Sequence, residues 1–398
     1  MSTVTVEPGA SSANRRNTNL DALRAIAVLM VLGRHAGMAI EIAHASNVFT
    51  AYCERIGWAG VDLFFVLSGF LISGLLFGGY QDHGKLDISR FYIRRGLKIW
   101  PAFYALIAAG LLVDVLRPGK HFSGHALLSE LFFVQDYFRS IWGITWSLAV
   151  EEHFYLLLPL VLLVMLRRDP KRPFASIPYV FGAVGVICLT CRFLAGWKQD
   201  GTIDPLTCLF PTHLRMDGLL FGVMLGYYYR FRRDVFQRIA SWKGGWVVAA
   251  AAMVLLSTLP VESRHMHTWG LTVLYLGGGV LVAKAVAFEG PAAIRFASKL
   301  LAGFGFYSYS IYLWQMFFTW RVEPLIWRVF PLFREPLWTF WFSIAGPILF
   351  GIAAAKVIEV PVLRFRDHMF AAPAVQLIAP MSAQETEAPA LPRPVAAG

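Results

Sequence analysis

Apolar residues in this chain fall into runs close to twenty residues long, separated by short polar stretches rich in Arg and Lys. An α-helix of that length spans about 30 Å, the thickness of a bilayer's hydrocarbon core. The runs predict ten spans, at about 20–42, 57–78, 97–116, 147–167, 175–195, 207–229, 246–260, 268–287, 302–321 and 337–359. The apolar segment 125–138 is too short and too polar to cross alone, and it reads as a re-entrant or interfacial helix. The expected fold is therefore all-α, a polytopic transmembrane helix bundle. A polar segment, 1–19, precedes it without a cleavable signal pattern, so the first span reads as an uncleaved anchor. The Ala/Pro-rich stretch 367–398 reads as a disordered tail.

Composition agrees. Hydrophobic residues make up 57%, charged residues 15%, and mean hydropathy is +0.55, outside the range of soluble domains. With the N-terminus inside, the loops predicted to be cytoplasmic hold 21 Lys and Arg against 10 in the opposite loops. That two-to-one bias satisfies the positive-inside rule and places both termini in the cytoplasm, as expected of a multi-pass inner (plasma) membrane protein. The net charge of +11 is then a topology signal that requires no nucleic-acid partner. Four cysteines form no framework, and no metal-ligand spacing, phosphate-cradling Gly loop or Gly-x-Ser-x-Gly elbow is present. Chemistry is expected inside the bundle.

Four constellations could carry it. Arg24 and His35 lie eleven positions apart in the first span. That is three turns plus roughly 20°, so both point from one helix face, roughly 16 Å apart in height. Ionisable groups at membrane depth mark functional sites unless they snorkel out. In the loop before the third span, Arg94, Arg95 and Lys98 are interleaved with Phe91, Tyr92 and Trp100. Such a cluster suits polyphosphate, with aromatic rings available for a purine, although loop charge that merely sets topology has the same composition. At the start of the fourth span, Glu151 and Glu152 stand beside Ser147 and His153. A carboxylate near His35 would orient it as a general base; the plainer reading is an N-terminal carboxylate with Ser147 in a cap. Arg215 and Asp217, about 200° apart on the sixth span, each need a partner from another helix, for structure or for chemistry. Asp21 joins them as a candidate substrate-contacting or structural polar residue. Asp62 reads as interfacial, and Ser68 and Ser73 as bonding to their own helix.

The segments LDALRAIAVLMVLGRHAG, GWAGVDLFFVLSGFLISGLL, FYIRRGLKIWPAFY, WSLAVEEHFYLLLPL, RMDGLLFG, YSYSIYLWQ and IEVPVLRF follow one another across residues 18–366. In that order and spacing the chain resembles the membrane acyltransferase 3 family. The resemblance implies a bundle of about ten helices, over 20–366, that O-acetylates carbohydrates or glycoconjugates at the cell surface, such as lipopolysaccharide or exopolysaccharide. Cytoplasmic acetyl-CoA would be the co-substrate, with no permanently bound cofactor. It further implies that Arg24 and His35 match the family's Arg-x10-His motif, with His35 as base or acyl acceptor. Arg95 and Lys98 match its Arg-x-x-Arg motif, with lysine replacing the second arginine, so Arg94 could share the phosphate role. Glu151 matches the glutamate after Trp-Ser-Leu. His153 stands where many members have glutamine, and Gln315 where many have histidine, so neither is assigned to catalysis. Glu359 and Pro361 match a late Glu-x-Pro, expected to mark a helix end. The rival reading is a multi-span transporter or polysaccharide-export component, which should show two similar halves with broken helices; no such symmetry is visible.

Overall fold

A computed structural model describes residues 17–42, 47–116, 122–197, 203–260 and 263–370. The expected segment up to residue 16 and the tail from 371 lie outside these, as do Arg117, Lys120 and Lys198 from the loop comparison. Among the described residues there is no strand. Helices α1 (Thr18–Ile42) and α2 (Val48–Gly57) lead into α3 (Ala59–His83) and α4 (Ile88–Leu116). A short α5 (Gly124–Leu131) lies in the link to α6 (Trp146–Arg168), which is followed by α7 (Ile177–Trp197). Next come α8 (Pro205–Cys208), α9 (Met216–Phe231), α10 (Arg233–Ser241) and α11 (Gly245–Thr258). The bundle is completed by α12 (Leu271–Val286), α13 (Ala292–Phe306), α14 (Ser308–Phe317), α15 (Glu323–Val329), α16 (Pro336–Ala354) and α17 (Val360–Met369).

Seven helical stretches among the described residues are long and apolar enough to cross a membrane, and α10 with α11, bent by 60°, would make an eighth. The other stretches expected as spans are helical but shorter or interrupted. The 207–229 run contains Pro211, which has no N–H to give; there the chain makes α8, a 3₁₀ turn and a 16-residue α9. The 302–321 run is split after Phe306 and ends in a π-helical turn, Phe318–Val322. Segment 125–138 forms only the eight-residue α5, capped by Ser123 and followed by turns.

Small residues let the helices close on the site. Gly69 of α3 and Gly222 of α9 meet backbone to backbone: a Cβ on Gly69 would strike the Leu219 carbonyl, and one on Gly222 the Val66 carbonyl. Gly305 of α13 sits equally close to the Asp21 carbonyl of α1. Gly84, with φ of 68°, ends α3 in a left-handed cap and turns the chain into α4. Buried Val28, Val31, Val61, Phe65, Ile99, Phe103 and Ile311 fill the space between α1, α3, α4, α6 and α14.

Three expectations near the bundle's ends are corrected. The chain does not leave the helical fold at 366: α17 continues to Met369, and Asp367 belongs to it. Glu359 marks no helix end, because a π-helical turn carries the chain through it into α17, and its carboxylate is buried and accepts from Ser310 Oγ at 2.6 Å. Arg192, counted as a loop charge, lies inside α7 and is 1% exposed.

Candidate active site

A cavity of about 840 Å³ opens between α1, α3, α4, α6, α14 and α17. Its rim carries His83, Lys85, Arg90, Arg94, Arg95, Lys98 and Arg366, against the acids Asp87 and Asp367. Its interior is apolar along α3, through Val61, Phe64, Leu67, Leu71 and Ile72, and also carries Ser68, Ser147, Glu151, Tyr155 and Tyr312. Asp21 and Arg24 line the α1 wall. One strongly cationic rim leading into an apolar shaft that also carries hydroxyls is suited to a molecule that is anionic at one end only.

Glu151 is the carboxylate of that shaft. It accepts from Ser68 Oγ at 2.7 Å and from Tyr155 OH, one helical turn away, at 2.8 Å. Arg95 Nη2 stands 3.9 Å from the same carboxylate, and its guanidinium lies 3.9 Å from the centre of the Tyr155 ring. The helix α4 thus turns Arg95 from the rim inward toward Glu151. Glu152 points elsewhere and accepts from Trp100 Nε1 at 3.0 Å. Ser73 bonds back to its own helix at the Phe70 carbonyl, as expected, whereas Ser68 does not.

His35 is not paired with Glu151. Its Nδ1 lies 3.0 Å from Gln315 Oε1 of α14, and the cavity lining stops short of both residues. The helices α1 and α14 run beside each other from the rim inward, so Ser308 lies near Asp21 on the lining and His35 meets Gln315 farther along. Between these levels stands Tyr312, whose hydroxyl is 2.6 Å from Ser147 Oγ and donates to the Ile144 carbonyl at 3.0 Å. Ser147 therefore does not cap α6; it closes the inner end of the cavity with Tyr312. Arg24 and His35 do share a helix face, about 16 Å apart by helical rise, one on the lining and one beyond it.

Arg94 is committed to the C-terminal helix. Its guanidinium donates to Asp367 Oδ1 at 3.0 Å and to the Phe370 carbonyl, and Asp367 is also 2.8 Å from Arg366. Lys98 stands on the cavity wall. Arg215 and Asp217 lie outside the cavity and supply latches: Arg215 pairs with Asp62 at 2.7 Å, and Asp217 with Arg192 at 2.7 Å. Asp62, expected at the interface, is 5% exposed for this reason. Arg192 also donates to the Leu214 carbonyl and to Thr272 Oγ1. These bonds tie α3 to the start of α9, and α7 to α9 and α12. His153 bonds to Thr212 Oγ1 at 2.7 Å, away from the cavity.

Four residues of this region carried no signal of function in the sequence. Ser68, Tyr155 and Tyr312 look like ordinary membrane-helix residues, and Gln315 could be noted only as a replacement for histidine. A polar residue three or four positions from another on one face was the available cue for Glu151 with Tyr155 and Tyr312 with Gln315.

The chain is similar to the peptidoglycan O-acetyltransferase OatA of Listeria monocytogenes, 26% identical over 86% of this chain and 55% of that protein. It is also similar to a putative O-acetyltransferase of Staphylococcus aureus, 25% identical over 86% of this chain and 56% of the relative. Similarity to the O-acetyltransferase OatA of Staphylococcus aureus is 27%, over 74% and 49% of the two chains. The chain spans about half the length of these curated relatives. No solved structure matches it. The family model described as an acyltransferase domain, Acyl_transf_3, matches residues 17–356, and the chain with its basic-rimmed intramembrane cavity belongs to the acyltransferase 3 family.

Proposed function

We propose that this protein is an integral membrane O-acyltransferase that moves an acetyl group from cytoplasmic acetyl-CoA to a hydroxyl of a cell-surface or exported carbohydrate. It would sit in the inner (plasma) membrane with both termini in the cytoplasm and the basic rim facing the donor. The observation that carries this reading is the cavity: cationic at its mouth, apolar along α3, and closed by Tyr312, about one helical turn from the Gln315 that meets an intramembrane histidine. Donor phosphates would lie at Arg94, Arg95 and Lys98, with Arg90 beside them, and the pantetheine arm would run along α3. Arg24, on the α1 wall of the cavity, would stabilise donor phosphate or the developing oxyanion.

In this mechanism His35 takes the proton from the acceptor hydroxyl, whose oxygen attacks the thioester carbonyl. The carbon–sulfur bond then breaks, and the CoA thiolate leaves with that proton as the free thiol. Glu151 has a different task from the one its motif suggested. It holds Arg95, Ser68 and Tyr155 in place around the arm, and keeps a buried guanidinium charge balanced while the cavity fills.

The test is donor titration with acetyl-CoA in inverted vesicles or proteoliposomes, alongside analysis of surface glycans from deletion and wild-type cells. Loss of O-acetyl groups in the deletion strain is expected; unchanged glycans and no acetyl-CoA turnover would point to a transporter or export component. For Arg95→Gln, donor KM should rise roughly ten- to a hundredfold, from about 1.5–3 kcal/mol of charge-assisted bonding, with acceptor KM unchanged. If Arg95 only sets topology, this variant changes neither constant, because Arg90, Arg94 and Lys85 remain in the loop.

Asp367 competes with the donor for Arg94. Its side chain is 53% exposed, so the pair is worth at most about 1 kcal/mol. Asp367→Asn should therefore lower donor KM by about two- to fivefold, most visibly at low salt. A raised donor KM would instead make α17 a support for the rim.

A further inference from the structure

Gln315 is buried, 1% exposed, and both ends of its side-chain amide are used. Nε2 donates to the Tyr312 carbonyl at 3.1 Å, and Oε1 lies 3.0 Å from His35 Nδ1. The direction of this chain of bonds is fixed by chemistry. A backbone carbonyl can only accept, so the amide must turn its NH₂ end to Tyr312 and its oxygen to His35. An amide oxygen also only accepts, so the neutral imidazole must carry its proton on Nδ1. The lone pair is then on Nε2, which has no hydrogen-bond partner among the described residues.

We propose that Gln315 is a positioning residue that locks His35 in the Nδ1–H tautomer and presents Nε2 as the proton acceptor for the incoming hydroxyl. This rests on the reading of His35 as the general base and adds how the base is held. A wrong tautomer turns the reactive nitrogen into a donor and removes base catalysis although the ring stays in place. The anchor of this lock is the residue that closes the cavity: Tyr312 holds Gln315 through its carbonyl and meets Ser147 through its hydroxyl. The end of the donor shaft and the orientation of the base are therefore set by one turn of α14.

Two replacements separate orientation from support. Gln315→Leu removes the accepting oxygen, and kcat should fall at least about tenfold with donor KM unchanged. Gln315→Glu keeps an accepting oxygen toward Nδ1 and gives up only the bond to the Tyr312 carbonyl; kcat should stay within about fivefold of wild type. If Gln315 merely stabilises α14 through Tyr312, the ranking changes. Glutamate, facing a carbonyl with a second acceptor, would then be at least as damaging as leucine, and that result overturns the proposal. Equal, unimpaired kcat for both variants overturns it as well. Should the leucine variant fail to accumulate, the glutamate variant alone decides, by its retained or lost kcat. His35→Ala measured in parallel tells which idea has failed. An active alanine variant removes the general base itself, whereas an inactive one combined with the wrong Gln315 ranking removes only the lock.

Discussion

Replacing His35 with alanine is expected to reduce acyl transfer by about 10²–10⁴-fold while leaving folded protein in the membrane and donor affinity intact. The ring makes one hydrogen bond to the described residues, Nδ1 to Gln315, so its removal breaks no ion pair between helices. Glu151, the other candidate, spends both carboxylate oxygens on Ser68 and Tyr155 and faces Arg95. The measurement is single-turnover transfer from radiolabelled acetyl-CoA in proteoliposomes, with donor binding followed separately. A well-expressed alanine variant with full activity would remove His35 from the mechanism and with it the assignment of Nε2.

The largest loss of stability is expected from Arg192→Leu. This side chain neutralises Asp217 at 2.7 Å in a site where both are almost wholly buried, and it also donates to the Leu214 carbonyl and to Thr272. Removing one partner of a buried ion pair costs about 3–5 kcal/mol, because the remaining charge has no water to turn to. The variant should unfold in detergent at a clearly lower temperature than wild type. Replacing Asp217 by leucine as well should recover much of the loss, since no unpaired charge then stays buried. Additive losses in the double variant would show that the two side chains stabilise the bundle independently. Donor KM is a useful control, because neither residue lines the cavity.

The different fates of the candidate residues have a common physical origin. Arg24, Arg95, Lys98, Glu151, Ser147 and Asp21 all reach the cavity; Arg95 and Lys98, read as loop residues, do so because α4 already begins at Ile88. Arg215 and Asp217 were candidates too but are used as latches. A lone ionisable group in a span announces a partner, not the partner's identity. The partners, Asp62 and Arg192, come from 153 and 25 residues away. Arg94 also looked like a phosphate ligand, and its contact with Asp367 depends on the last turn of α17, beyond the 366 at which the sequence reading began a disordered tail.

By itself the sequence determined the all-helical class, because runs of about twenty apolar residues leave a backbone in lipid no other way to satisfy its polar groups. It also determined the family, through seven ordered motifs, and the shared face of Arg24 and His35, because helical periodicity is local and needs no tertiary knowledge. Only the tertiary structure decided which carboxylate meets which cation, that Glu151 meets Ser68, Tyr155 and Arg95 and not His35, and that Gln315 is the residue bonded to the imidazole. The reason is one of range. Periodicity fixes the direction of a side chain from its own helix axis, but contact between helices depends on their rotation and depth relative to each other. Those are set by close approaches such as Gly69 on Gly222 and Gly305 on Asp21, where a single added carbon would move one helix against the other.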